Sequence, residues 1–135
     1  GKKDYQQLAI IRRLVRDLDF NVVLHGIDTM REEDGLAMSS RNRYLSPEER
    51  AQAPALRKAL VAARDAWKTG ERDPAALQKL ITSHLQQHAP LGRIDYVSAV
   101  DAATLQPVSA TSELVVIALA VYFGTARLID NIELK

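Results

Sequence analysis

The chain has 135 residues, 47% of them hydrophobic, which is enough to build one core with a small appendage. A net charge of +1, from 18 basic against 17 acidic residues, argues against electrostatic capture of nucleic acid. The absence of cysteine removes disulfides, thiolate metal sites and a cysteine nucleophile, and is compatible with a reducing cytoplasm.

In chain order, Gly1 to Gln7 reads as a basic loop entering a helix, with Asp4 as its N-cap. From Tyr5, the positions Leu8, Ile11, Leu14, Val15 and Leu18 recur at helical spacing and predict one buried face. Val22 to Ile27 is a short apolar run that predicts a buried parallel strand. Asp28 to Arg43 then forms a long polar connection, a length that is often functional when it carries no structure of its own. Ser46, Pro47 and Glu49 form a capping-box helix start, and Pro54 predicts a kink or break around Ala53. The helix resumes through Leu56, Leu60, Ala63 and Trp67, with Trp67 expected in the core, and stops near Gly70.

A further helix starts at Asp73-Pro74, burying Leu77, Leu80, Ile81 and Leu85. His84 and His88 lie on it at a spacing that suits a metal. With no third ligand nearby, a solvated face is the simpler reading. The last third changes period: Arg93 to Val100, Glu113 to Phe123 and Ala126 to Glu133 predict strands, separated by Thr104 to Thr111 and by Gly124-Thr125. The short second connection predicts a hairpin. The run Leu114 to Phe123 is too short to span a bilayer. The expected architecture is an antiparallel sheet covered by the middle helices.

Two segments carry recognisable chemistry. Asp34-Gly35-Leu36-Ala37-Met38-Ser39-Ser40-Arg41-Asn42-Arg43 places paired hydroxyls and guanidiniums on a glycine-entered loop, a donor set matched to phosphate oxygens. A polar, solubilising turn ahead of a helix uses the same residues. The start of the first helix offers unpaired amides to an anion, with Lys3 beside them, although an exposed basic start with a capping Asp accounts for the same residues. Arg31-Glu32-Glu33-Asp34 reads as a solvated segment without chemistry, with Asp34 capping its loop.

Gly1 to Gln7 resembles the GxKDxQQ segment of pantothenate synthetases, and Asp34 to Tyr44 resembles their DGLAxSSRNxYL segment, in the same order and at the family's separation. Ala126-Arg127-Leu128-Ile129-Asp130-Asn131 and Leu45 to Arg50 match as well, so the resemblance covers essentially the whole chain. The family's HxGH motif has no counterpart here. The chain therefore resembles the carboxyl-terminal part of the enzyme, and the amino-terminal half is an expected partner. This implies an α+β fold, with residues 1–33 as a remnant of a Rossmann-like nucleotidyltransferase domain and residues 34–135 as a C-terminal lid domain. The boundary is expected between Thr29 and Asn42, at a hinge near Gly35.

The resemblance further implies ATP-dependent condensation of pantoate with β-alanine through a pantoyl adenylate, giving pantothenate, AMP and pyrophosphate. Lys3, Ser39, Ser40 and Arg41 correspond to catalytic positions. Gly1, Lys2, Lys3, Asp4, Met30, Met38, Ser39, Ser40 and Arg41 correspond to ATP-binding positions, with Asp4 placed for ribose hydroxyls and Met30 for a backbone contact to adenine. Gln7 corresponds to the pantoate-binding glutamine. Magnesium is expected with the triphosphate, with no ligand assignable in this chain. Ile27-Asp28 stands where the family commonly has Val-Pro, a change on the adenine side that leaves the phosphate positions untouched. Two alternatives stand beside this reading: a non-catalytic module that packs on a nucleotide-binding partner, and an adenylate-forming relative for another acid, for which Gln7 is the discriminating residue. The chain alone is expected to be inactive.

Overall fold

The computed structural model describes residues 1–110 and 112–135. Thr111, the end of the expected connection from Thr104, lies outside the described residues. Helix α1 spans Tyr5–Asp17, a 3-10 turn spans Ser40–Tyr44, and α2 (Pro47–Gln52), α3 (Ala55–Lys68) and α4 (Pro74–His88) follow. Strands β1 (Arg93–Asp101), β2 (Val115–Phe123) and β3 (Ala126–Leu134) form a sheet of order β1-β2-β3, antiparallel throughout.

The local signals in the middle of the chain act as expected. The Ser46 side chain accepts from the Glu49 amide while Glu49 accepts from the Ser46 amide, so two orphan donors at the start of α2 are satisfied. Pro54, which has no amide hydrogen to donate, separates α2 from α3. Asp73 caps α4 by accepting from the Ala75 amide. Gly124 has φ +60°, and the two-residue loop it opens closes the β2–β3 hairpin at the Phe123–Ala126 pair.

The core lies between the sheet and the α3–α4 layer. Leu56, Leu60, Leu77, Ile81 and Leu85 pack against Ile117, Leu119, Val121 and Phe123. As the central strand, β2 is buried at seven of its nine positions, whereas β3 alternates strictly, burying every second residue. Trp67 sits at the rim, partly buried against this core, with the Arg72 guanidinium stacked 4.1 Å from its ring centroid. His88 is exposed as expected. His84 is half-buried instead, its Nε2 enclosed without a hydrogen-bond partner among the described residues.

The amino-terminal region departs from the sequence reading in three ways. Asp4 occupies the N-cap position of α1, but its side chain makes no capping bond. Only Tyr5 and Leu8 of α1 are buried; Ile11, Leu14 and Leu18 are 40%, 50% and 57% exposed. The predicted strand at Val22 to Ile27 does not form, and Val23 is 80% exposed. The last two share one cause: a parallel strand and an amphipathic helix each need a closely packed neighbouring surface, and the described residues bury only Tyr5 and Leu8 of α1 and none of Val22 to Ile27.

Candidate functional site

The phosphate-grip segment is built by a small closed loop. Met38 donates its amide to the Met30 carbonyl at 2.9 Å, and Glu32 to the Leu36 carbonyl at 2.8 Å. Gly35, at φ +92°, makes the turn between them. Asp34 caps this loop: one oxygen accepts from the Leu36 amide and the other from Arg50 at 2.7 Å, a contact that pulls its pKa below the usual carboxylate value. Asn42 anchors the far side, donating to the Ala37 carbonyl at 3.0 Å.

Beyond the loop, Ser39 caps the 3-10 turn by accepting from the Arg41 amide at 3.2 Å, which leaves its hydroxyl hydrogen available to a ligand. Ser40 and Arg41 are exposed, and the Arg41 guanidinium reaches the Arg127 carbonyl at 3.4 Å. The first segment meets the second here. Lys3 Nζ donates to the Met38 carbonyl at 3.0 Å, across 35 positions of sequence. Lys3, Asp4, Ser39, Arg41 and Asn42 line one cleft of about 230 Å³. Beside it lies a more open cleft of about 790 Å³ between α1 and the sheet face that α3 and α4 leave uncovered; Lys3 and Asp4 line it too, with Gln7, Tyr96 and Arg127.

The remaining candidates lie further off. Lys2 Nζ pairs with Asp28 at 2.7 Å, which raises its pKa, and neither Gly1 nor Lys2 lines either cleft. Met30 is 68% exposed and outside both clefts, its carbonyl engaged by Met38. Met38 itself is half-exposed and contributes its carbonyl to Lys3.

The reading of Arg31 as part of a solvated segment is overturned. Its guanidinium forms a two-pronged pair with Asp130, at 2.7 and 3.0 Å, and also donates to the Gly35 carbonyl at 3.1 Å. Asp130 is 3% exposed, the one buried charged residue of the described chain. Next to it, Asn131 Nδ2 donates to the carbonyls of Lys2 and Lys3 at 2.8 and 3.0 Å. The signal for both was present in the sequence, since Asp130-Asn131 ends the third motif; a charged residue at an inward-facing strand position marks a specific partner.

The pantoate-beta-alanine ligase model matches residues 1–133. The chain belongs to that family. The pantothenate synthetase of Oleidesulfovibrio alaskensis is 50% identical over 134 residues, covering 99% of this chain and 48% of the relative. The crystal structure of the Thermus thermophilus pantothenate synthetase superposes with a TM-score of 0.89 at 46% identity, over 99% of this chain and 48% of that one. A pantoate-beta-alanine ligase from Francisella tularensis, complexed with beta-gamma ATP and beta-alanine, gives a TM-score of 0.59 at 28% identity, over 98% and 41%. This pantoate-beta-alanine ligase family member thus spans about half the length of the curated relatives it matches. No helix among the described residues is long and apolar enough to cross a membrane.

Proposed function

We propose that this chain supplies the phosphate-gripping part of a pantothenate synthetase, which condenses pantoate with β-alanine at the expense of ATP. The observation that carries the reading is the convergence of Lys3, Ser39 and Arg41 on one cleft, with the exposed Ser40 between the last two, joined by the Lys3–Met38 contact. In the proposed reaction the pantoate carboxylate attacks the α-phosphorus and pyrophosphate leaves, giving pantoyl adenylate. The β-alanine amine then attacks the acyl carbon and AMP departs. Each step brings anions together, so the catalyst gains most from fixed cationic and hydroxyl donors. Lys3, Arg41 and the Ser39 and Ser40 hydroxyls supply these, with Asp4 beside them for the ribose.

Gln7 lines the neighbouring cleft, and an amide can both donate to and accept from a hydroxy acid, which supports a pantoate-binding role. Met30 enters through its backbone, and Gly1 and Lys2 act by shaping the segment that carries Lys3. Magnesium would arrive with the triphosphate. No group of three or more His, Asp or Glu side chains among the described residues forms a metal site, and Asp34 is engaged by Arg50. Residues 1–33 are assigned to the nucleotide-binding domain and residues 34–135 to the lid, in a cytoplasmic enzyme that includes an amino-terminal half.

A titration of the 15N-labelled chain with magnesium ATP tests this. Shifts confined to Gly1–Gln7 and Met30–Arg41, and lost in the double variant Ser39→Ala/Ser40→Ala, are expected. An unresponsive chain at millimolar nucleotide would refute a grip that works without a partner. Turnover is expected only after the amino-terminal half is added, so pantothenate formed by this chain alone would refute the assigned division of labour.

A further inference from the structure

We propose that Asp130 and Asn131, adjacent on the edge strand β3, are positioning residues that set the two phosphate-facing segments against each other from opposite faces of the sheet. The inference rests on the ATP reading above. Because side chains alternate along a strand, successive residues serve opposite faces. The burial pattern of β3 puts Asp130 with Leu128 and Ile132 on the face covered by α3 and α4, and Asn131 on the face toward the start of α1. Each holds one segment. Asp130 grips Arg31, which in turn holds the Gly35 carbonyl at the turn of the loop leading to Ser39. Asn131 uses its amide nitrogen, which carries two hydrogens, on the carbonyls of Lys2 and Lys3.

The two grips are not independent. The Asn131 backbone N–H donates to Asp130 Oδ1 at 2.8 Å, the same oxygen that receives Arg31 Nη2, so the carboxylate is oriented by both and the backbone that carries the Asn131 side chain is fixed with it. The circuit closes outside the strand, where Lys3 Nζ meets the Met38 carbonyl. This closure is possible because β3 is an edge strand with no neighbour on that side within the sheet. The two segments therefore wrap one edge, and a slip of β3 by one residue would exchange both anchors. Burial makes the arrangement strict, since an almost fully buried carboxylate tolerates no position without its partners.

The test compares amide spectra of the 135-residue chain, wild type against Asn131→Ala, before and after magnesium ATP. Asn131 lies in neither of the hydrogen bonds that hold Met38. Without nucleotide, Asn131→Ala is nevertheless expected to shift the Met38–Arg41 amides, and with nucleotide to weaken affinity about tenfold, as the loss of two modest hydrogen bonds implies. Asn131→Ser, which keeps one donor, is expected to fall between and serves if the alanine variant loses its dispersed spectrum. Perturbation confined to Lys2–Tyr5 and the flanking β3 residues, with unchanged affinity, overturns the proposal. A wild-type chain that ignores ATP, with Asn131→Ala still shifting the Met38–Arg41 amides, upholds the positioning and overturns the nucleotide reading.

Discussion

The α3–α4 layer and the α1 region carry apolar residues in similarly periodic patterns, yet one is packed and the other is bare. Leu56, Leu60, Leu77 and Ile81 are at most 2% exposed, while Leu14, Leu18 and Val22 are 50% to 57% exposed. Periodicity specifies which face is apolar, and burial depends on whether another element supplies the opposing surface. The sheet supplies it for α3 and α4. For most of α1 and for residues 20–30, no described part of this chain does. The proposed site lies at the junction of the two regions, which is why its residues come from both.

The sharpest way to break this contrast is a matched pair of truncations. Phe123 is 1% exposed in the core, so Phe123→Ala is expected to cost about 3–5 kcal/mol in denaturant unfolding. Leu14→Ala, at a half-exposed position, is expected to stay within about 0.5 kcal/mol. Equal losses at the two positions would mean that α1 is packed in solution and the contrast is wrong.

The next largest effect concerns the tie between the regions. Arg31→Ala would strand the Asp130 carboxylate in the interior, at an expected cost of about 3 kcal/mol, near the lower end for broken buried pairs because the Arg31 side chain is 22% exposed. A loss under about 1 kcal/mol would place Asp130 in contact with water and dissolve the tie.

What could be read from the sequence follows the same division. The capping box at Ser46, the break at Pro54, the Asp73 cap and the β2–β3 hairpin are decided within a few residues, and each appears where the sequence places it. The strand expected at Val22–Ile27 and the buried face of α1 depended on partners outside the local pattern: the strand does not form, and of the predicted helix face only Leu8 is buried. In the proposed site, Lys3, Asp4, Ser39 and Arg41 stand out in the sequence by their chemistry, and all four line the smaller cleft. The pairing of Arg31 with Asp130, and of Asn131 with Lys2 and Lys3, could not be read, although Asp130-Asn131 ends a recognisable motif, because the partners lie 99 to 129 positions away and spacing carries no trace of such contacts. Arg31 in particular sits in a charged run whose composition resembles a solvated surface.

A smaller effect tests whether local signals in the packed region act locally. Ser46→Ala removes the acceptor for the Glu49 amide and is expected to cost about 1 kcal/mol. Amide exchange should quicken in Pro47–Gln52 with little change in β3. Spread of the change to the Asp130–Arg31 pair would show that α2 and the junction are one cooperative unit.

The smallest expected effect is a pH dependence within the packed layer. Burial of His84 lowers its pKa below the ordinary 6.5, with the neighbouring His88 and Lys58 of α3 acting in the same direction. Its Nε2 has no partner among the described residues to offset that. Below 6.5 the unfolded chain therefore binds a proton that the folded chain resists, so this contribution to stability is complete above about pH 6.5 and is lost as pH falls toward the lowered folded value. One proton limits the slope to about 1.4 kcal/mol per pH unit. Asp34 and Asp101, whose pKa values are also lowered, act in a separate window at more acidic pH, below the ordinary carboxylate value of 3.8. Urea unfolding at pH 7.5 and pH 5.5 should show wild type weakening at the lower pH and His84→Gln nearly level. Parallel losses in the two proteins would mean that His84 is hydrated in solution and that the α3–α4 layer is looser than its buried leucines imply.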